Sequence, residues 1–183
     1  MAHIEAKSID ADGFAFVIRN PDPSESAEIL GLVRQLDSET EFMLREAGEL
    51  RMMPEQERDF IQKMLEDERS LFVVAEAEKK VIASLAFHGS HLKRYQHQGE
   101  FAMGVLQAYW GLGVGGALVR TMLDWASRTG IIRVTLKVVS DNYRAIKLYR
   151  RFGFVEEGRL IKDRYYPDKK EFSDSIIMAR IKF

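Results

Sequence analysis

The chain has 183 residues, of which 46% are hydrophobic and 30% charged, a composition typical of a folded globular domain and too apolar for a disordered chain. Its 27 basic and 28 acidic residues give a net charge of −1, which offers no global reason to expect nucleic acid or an anionic membrane as partner. The absence of cysteine excludes disulfides, thiolate zinc sites and cysteine nucleophiles. No apolar run approaches the ~18 residues of a membrane helix, so we expect a cytoplasmic protein with one domain, residues 1–183.

The N-terminal half contains strand and helix patterns in alternation. Residues Met1–Asp10 show no pattern, whereas Gly13–Arg19 is rich in Phe, Val and Ile and predicts a strand. Asp22, just before a proline and an acidic residue, predicts the start of a helix, and Pro54 predicts the start of a second. Two apolar runs around a short charged turn then predict a hairpin, and Gly99–Leu106 predicts the next strand.

The C-terminal half contains the clearest helix, Gly113–Arg128, whose apolar residues follow helical spacing. The later predicted elements are a strand at Arg133–Val139, a helix at Asn142–Phe152 and strands at Phe154–Ile161 and Phe172–Ile181. The expected order is β-α-α-β-β-β-α-β-α-β-β. It predicts a mixed α+β fold, with a mostly antiparallel sheet flanked by helices and one parallel crossover through the central helix.

A glycine-rich turn is the most informative stretch of the sequence, Gly111-Leu112-Gly113-Val114-Gly115-Gly116. It lies between a predicted strand and the strongest predicted helix. Glycine is unfavourable at such a place unless the backbone needs its freedom, and four glycines are too many for tight packing alone. Without side chains a ligand can approach the main chain, and the unpaired N–H groups of the first helical turn point at it. The turn therefore predicts a phosphate-binding site.

Two other glycine motifs compete for this turn. The Walker pattern requires Lys and then Ser or Thr after the last glycine, but Ala117 and Leu118 follow here. The spacing of Gly111, Gly113 and Gly116 does match the dinucleotide fingerprint. That motif also requires an acidic residue about 20 positions later, and residues 130–140 contain none. A nicotinamide- or flavin-dependent oxidoreductase is therefore the second alternative.

A second motif follows the next predicted strand, in the segment from Asn142 to Phe154. With it, the sequence resembles the GNAT superfamily of acyl-CoA-dependent N-acetyltransferases. The family pattern Asn-x-x-Ala-x-x-Leu-Tyr-x-x-x-Gly-Phe is matched at each position, by Asn142, Ala145, Leu148, Tyr149, Gly153 and Phe154. The family's phosphate loop, Gln/Arg-x-x-Gly-x-Gly/Ala, matches residues 110–115, except that Trp110 stands where Gln or Arg is usual.

The resemblance implies acetyl-CoA as co-substrate and no metal. The pantetheine arm would pair with the strand Met103-Gly104-Val105, and the pyrophosphate would bind the N–H groups of Leu112–Gly116. The acceptor amine would attack the thioester directly in a ternary complex, with a backbone N–H near Met103 or Val105 polarising the carbonyl. Tyr149 would protonate the departing thiolate. Asn142 would bind the cofactor, cap its helix, or do both.

The general base and the acceptor are less well defined. Glu100 is the candidate base, and water is the alternative. In the family the base on this strand usually stands one residue earlier, where this chain has Gly99. Because side chains alternate along a strand, Glu100 would point to the opposite face unless a bulge turns it. The acceptor is an amine, whether a small molecule, a polyamine or a protein N-terminus. The acidic residues that could attract it are Glu39, Glu41, Glu46 and Glu49.

The sequence bears on three further features: the catalytic role, the histidines and the oligomeric state. A non-catalytic acyl-CoA-binding module is a third alternative, and it would bind acetyl-CoA without depending on Tyr149. A histidine cluster, His88, His91 and His97, lacks an acidic ligand within its loop, so we predict a solvated loop rather than a metal site. The oligomeric state is not determined, with a homodimer among the options.

Overall fold

The computed structural model describes residues 3–182, which form one eight-stranded sheet and four α-helices. The strands are β1 (Lys7–Ala11), β2 (Phe14–Arg19), β3 (Ser70–Ala77), β4 (Lys80–Gly89), β5 (Gln98–Val105), β6 (Arg133–Val139), β7 (Val155–Tyr166) and β8 (Glu171–Ile181). The helices are α1 (Ser26–Glu39), α2 (Pro54–Glu66), α3 (Val114–Arg128) and α4 (Tyr143–Arg151). None of these helices is long and apolar enough to cross a membrane.

The strand order is β1-β2-β3-β4-β5-β6-β8-β7, and each neighbouring pair is antiparallel except β5 with β6. The connection between the parallel strands β5 and β6 contains α3, and it is long enough for the crossover that such a pair requires. The predicted mixed α+β fold with a mostly antiparallel sheet is therefore confirmed.

The local start signals in the sequence also hold. Asp22 caps a short 3-10 turn that leads into α1, because its carboxylate accepts the N–H of Ser24 at 2.8 Å and Glu25 accepts the N–H of Asp22 at 2.6 Å. Pro54 is the first residue of α2. The first is a reciprocal cap and the second is a proline at the first helical position, as the predicted patterns require.

The structure corrects the interpretation of the N-terminal segment. Residues Met1–Asp10 show no sequence pattern, but Lys7–Ala11 forms β1 and pairs with β2 across a turn at Asp12 and Gly13, both with positive φ. This strand is short, lies at the edge of the sheet and is mostly exposed. Only Ile9 and Ala11 pack against the core, and both are partly buried, so the apolar alternation is too short to predict a strand.

The strand β7 extends further than the sequence predicts, to Tyr166 instead of Ile161. It is the other edge of the sheet, and most of its side chains are exposed. Backbone pairing with β8 holds it, with register shifts near Glu156 and between Leu160 and Arg164. Pairing across the sheet, not an apolar pattern, thus defines the length of this strand.

Two apolar cores lie on opposite faces of the sheet. One lies between the sheet and α3 with α4, and it contains Leu118, Met122 and Phe154. The other lies between the sheet and α1 with α2, and it contains Leu36 and Ile61. Because side chains alternate along a strand, the residues of β5 are divided between these two faces.

Candidate active site

The strands β5 and β6 separate along their length. Their partner pairs end at Glu100 with Thr135, and β5 continues from Phe101 to Val105 without a partner on that side within the described residues. The opening has an apex at Phe101 and is about 13 Å long at about 3.3 Å per residue. We call this opening the splay.

The backbone of β5 presents hydrogen-bonding groups to the splay. Leu106 donates its N–H to the carbonyl of Ile82 on β4 at 3.0 Å. In an antiparallel pair the direction alternates, so Phe101, Met103 and Val105 turn their backbone groups towards the splay. The residues predicted to pair with a pantetheine arm, Met103 and Val105, are therefore oriented to do so.

Gly104 has a different environment from its neighbours in β5. Its backbone faces β4, and a methyl carbon added to it would lie 2.6 Å from a methyl group of Leu36 on α1. This close packing by α1 is sufficient reason for glycine here. Gly104 therefore allows α1 to approach the sheet from the face opposite α3.

The glycine-rich turn forms a row of free backbone N–H groups at the wide end of the splay. Ala117 is the first amide that bonds back into the start of α3, to the carbonyl of Gly113 at 3.0 Å. The preceding amides of the helix, from Val114 to Gly116, therefore have no intrahelical acceptor. Together with the positive end of the helix dipole, these amides have the geometry that binding of an anion requires.

The glycines of the turn have distinct structural reasons. Gly111 and Gly113 have φ of +87° and +80°, a region that side chains disfavour. A methyl carbon on Gly115 would lie 3.1 Å from the terminal methyl of Met103, so this glycine lets α3 start directly against β5. Gly116 would meet only ordinary contacts, at 3.8 Å from the ring of Phe152.

The helix α4 begins with Asn142, whose side-chain oxygen accepts the N–H of Ala145 at 3.1 Å. This confirms that Asn142 caps the helix, one of the two roles considered for it. The oxygen makes the cap, so the amide NH2 group of the same side chain keeps its donors for a ligand.

Tyr149 lies about two turns further along α4, against the apex of the splay. Its ring packs edge-on against Phe101 at a centroid distance of 5.7 Å and against Phe154 at 6.0 Å. The side chain is 8% exposed, and its hydroxyl makes no hydrogen bond within the described part of the chain. Burial raises the pKa of Tyr149 above its ordinary value, so the phenol is protonated at neutral pH.

Glu100 lies at the same apex but on the opposite face of the sheet. β4 and β5 pair without a register shift, so no bulge re-aims it, and it stands beside His88 and Thr135. This face carries an open groove of about 360 Å³, whose lining also includes Ser90 and Tyr95. A carboxylate and a phenol thus flank the apex from its two sides.

The acidic segment between α1 and α2 is engaged in contacts of its own. Its predicted acceptor-lining residues are Glu39, Glu41, Glu46 and Glu49. Glu39 accepts the N–H of Gln107 at 2.7 Å, and Glu41 pairs with Lys169 at 2.5 Å. Glu49 accepts the N–H of Glu46 at 2.9 Å. Three of the four carboxylates that we expect to attract an acceptor are therefore already engaged in hydrogen bonds or an ion pair.

The same segment is fastened to the body of the protein by two arginines. Arg45 binds the buried carboxylate of Asp37 at 3.0 Å. Arg164 of β7 donates to the carbonyl oxygens of Phe42 and Met43. The loop and the β7–β8 hairpin are therefore held together on this side of the molecule.

The histidine cluster is not assembled as a metal site. Within residues 3–182, no group of three or more metal-ligating side chains comes together. The ring of His91 contacts Asp67 at 2.9 Å instead.

Two residues at the turn were not predicted as functional. The indole N–H of Trp110 donates to the carbonyl of Val105 at 2.6 Å, and the guanidinium of Arg144 lies over the indole, 5.2 Å from the ring centroid. A sequence signal exists for Arg144, because it is a cation in the first turn of a helix, where the dipole disfavours positive charge.

A sheet that opens beside a glycine turn at a helix start defines an acyl-CoA-binding fold of the kind that the sequence resembles. Residues 33–154 match the model of the acetyltransferase (GNAT) family. The match spans more than half of the chain, so the chain belongs to this family and is an acetyl-CoA-dependent acetyltransferase.

Curated relatives agree with this classification. The chain is 32% identical over 111 residues to the L-amino acid N-acetyltransferase AaaT of Escherichia coli, which covers 60% of this chain and 67% of that protein. It is 35% identical over 79 residues to the ribosomal protein bS18-alanine N-acetyltransferase of Escherichia coli, which covers 43% of this chain and 52% of that protein. The chain thus spans between about half and two thirds of the length of these relatives.

Solved structures share the fold. A GNAT-family acetyltransferase from Streptococcus pneumoniae superposes with a TM-score of 0.86 at 25% identity, covering 92% of this chain and 99% of that one. A putative acetyltransferase from Salmonella typhimurium, solved with its cofactor acetyl-CoA, has a TM-score of 0.78 at 17% identity, covering 91% and 93%. These findings favour acetyl transfer over the oxidoreductase and over the non-catalytic binding module.

Proposed function

We propose that this protein transfers the acetyl group of acetyl-CoA to a primary amine by direct attack in a ternary complex. One observation carries the proposal. A splay in the sheet connects a row of free amides at the glycine turn to the side chain of Tyr149, whose hydroxyl has no hydrogen-bond partner within residues 3–182. In this arrangement the phosphates occupy the turn, the pantetheine arm follows β5, and the thioester lies at the apex.

The hydroxyl of Tyr149 acts as the general acid. As the amine nitrogen bonds to the thioester carbon, the carbon–sulfur bond breaks and the sulfur takes the phenolic proton. The products are an amide and free coenzyme A, and the phenol regains its proton from solvent. Because burial raises the pKa of Tyr149, the proton is available throughout the neutral range.

The amine must lose a proton before or during attack, since an ammonium ion has no lone pair. We propose that Glu100 takes this proton. Its position on the opposite face from Tyr149 supports this role, because nucleophile and leaving group occupy different sides of the acyl carbon. The groove beside Glu100, about 360 Å³ in volume, then receives the acceptor.

Backbone groups of β5 stabilise the charge that develops on the carbonyl oxygen. The N–H of Met103 and the N–H of Val105 face the splay, where no partner strand lies within residues 3–182. The carbonyl of Val105 already accepts the indole of Trp110. A preorganised amide of this kind is the usual donor to an oxyanion.

We propose an α-amino group as the acceptor, either of a free amino acid or of a protein N-terminus. The names of the two relatives support this class, since one acts on L-amino acids and the other on an alanine of a ribosomal protein. The α-amino group of a peptide or protein has a pKa near 8, against about 10.4 for the side chain of lysine, so it demands less of a carboxylate base.

A thiol-release assay tests the proposal. Acetyl-CoA is mixed with the protein and with a panel of free amino acids, peptides with free or blocked N-termini, and spermidine. We expect release of coenzyme A with free α-amino acceptors and none with blocked peptides. Turnover restricted to spermidine would contradict the acceptor class, and absence of turnover with every amine would contradict the enzymatic role.

We also propose a cytoplasmic location. The absence of cysteine fits a reducing compartment, and acetyl-CoA must be supplied to the site. Cell fractionation with a tagged chain tests this location, and recovery of the protein outside the cytoplasm would contradict it.

A further inference from the structure

We propose that Arg144 binds the diphosphate of coenzyme A at the glycine turn and thereby supplies, from α4, the polar side chain that position 110 lacks. The proposal rests on acetyl-CoA binding at this turn. It concerns a binding residue that neither motif of the sequence analysis includes.

The guanidinium of Arg144 is held at the start of the turn. Its central carbon lies 5.2 Å from the centroid of the Trp110 ring. A methyl carbon built on Gly111 would lie 4.0 Å from one of its terminal nitrogens. The cation therefore stands next to the first glycine of the turn, within reach of a ligand bound on the amides.

The indole that carries Arg144 is itself fixed. Its N–H donates to the carbonyl of Val105 at 2.6 Å, which anchors the ring to the last residue of β5. An arginine stacked on an aromatic face keeps its N–H donors in the ring plane free for a ligand. Trp110 thus acts as a platform that positions the guanidinium.

The position of Arg144 is unfavourable for a positive charge. Arg144 is exposed, and within residues 3–182 no carboxylate forms an ion pair with it. It lies in the first turn of α4, where the helix dipole disfavours a cation. By contrast, the first turns of α1 and α2 carry acidic residues, Glu28 and Glu55 among them. A bound anion would compensate for the unfavourable position of Arg144.

Position 110 is where this chain differs from the family pattern of the loop. The family loop has Gln or Arg there, and this chain has Trp110, which removes a donor side chain from the loop. Arg144 reaches the same turn from the neighbouring helix, and its planar guanidinium can bind two phosphate oxygens at once. Trp110 and Arg144 together therefore take the place of the polar side chain of the family loop: the indole supports the guanidinium, and the guanidinium binds the phosphate.

The test compares binding of three ligands by calorimetry: coenzyme A, 3′-dephospho-coenzyme A and pantetheine. We expect Arg144→Ala to weaken coenzyme A and the dephospho form equally, by about tenfold, and to leave pantetheine unchanged. Arg128→Ala is the matched control, because this exposed arginine lies at the far end of α3, about 18 Å from the turn. It should bind all three ligands as the wild type does.

Two further variants test the division of roles. Arg144→Lys should bind coenzyme A with intermediate strength, since it keeps the charge and loses the planar fork. Trp110→Arg combined with Arg144→Ala should bind more tightly than Arg144→Ala alone, because it returns a cation to the loop. A double variant no tighter than Arg144→Ala would contradict the shared role.

Kinetics give an independent readout. Arg144 is remote from the apex at Phe101, so Arg144→Ala should raise KM for acetyl-CoA and preserve kcat. Unchanged coenzyme A affinity in Arg144→Ala would overturn the inference while leaving the enzymatic function intact. An effect seen with coenzyme A and absent with the dephospho form would also overturn it, since the 3′-phosphate would then be the partner. A wild type without affinity for any of the ligands would instead contradict the acetyl-CoA site itself.

Discussion

Replacing Tyr149 by phenylalanine removes one oxygen atom and leaves the ring contacts of this side chain in place. The ring is held edge-on by Phe101 at 5.7 Å and by Phe154 at 6.0 Å, and neither contact involves the hydroxyl. The hydroxyl has no hydrogen-bond partner within residues 3–182, so its removal breaks no hydrogen bond that stabilises the fold. We therefore expect Tyr149→Phe to be at least as stable as the wild type.

The effect on turnover should be opposite in sign. Loss of a general acid costs about 10²- to 10⁴-fold in rate, and the two aromatic rings that pack on Tyr149, those of Phe101 and Phe154, have no proton to donate in its place. Because burial raises the pKa of Tyr149, the wild type should show no alkaline loss of kcat from this residue up to about pH 10.

The assay combines three measurements on the two proteins. Thiol release gives kcat and its pH profile, calorimetry gives the affinity for coenzyme A, and thermal unfolding gives Tm. We expect a large loss of kcat with affinity retained and with Tm equal or higher, by about 2–4 °C per kcal/mol for a chain of this size. Wild-type turnover in Tyr149→Phe would refute the acid role. A marked fall in Tm would show that the hydroxyl has a structural partner.

Four more substitutions follow from the geometry. Glu100→Gln should lower kcat, most strongly below the pKa of the acceptor amine, while coenzyme A affinity is unchanged; equal pH profiles for variant and wild type would indicate water as the base. Gly113→Ala should lower Tm and weaken coenzyme A, because its φ is +80° and the new methyl would lie 2.9 Å from the Cβ of Ala11. Gly116→Ala should leave Tm unchanged or raise it, and the opposite ranking of the two glycines would contradict the turn geometry. Glu57 is buried and burial raises the pKa of its carboxyl, so its charge destabilises the fold above that pKa and has no effect below the ordinary value of 4.5. Glu57→Gln should therefore raise Tm at neutral pH by a few degrees, with the gain lost by about pH 4, and a gain that persists in acid would exclude this cause.

Much of this protein follows from local sequence patterns. The cap at Asp22, the start of α2 at Pro54 and the amphipathic stripe of α3 each depend on residues within a few positions of one another. The glycine turn is of the same kind, because its function lies in backbone groups that the helix start leaves free. For this reason the sequence alone indicates both the phosphate site and the class of fold.

Strands with little buried surface are poorly predicted from the sequence. β1 and the outer part of β7 are held by backbone pairing with neighbours; β1 turns only Ile9 and Ala11 to the core, and most side chains of β7 are exposed. Backbone hydrogen bonds do not depend on residue type. Tertiary pairing therefore decides these boundaries.

The site itself required the tertiary structure. Strand alternation predicts that Glu100 and Phe101 point to opposite faces, but only the separation of β5 from β6 shows that these faces flank one apex. The contact of Arg144 with Trp110 joins residues 34 positions apart, and neither residue is informative without the other. Local chemistry can be predicted along the chain because it depends on near neighbours, whereas the meeting of distant side chains depends on how the helices pack against the sheet.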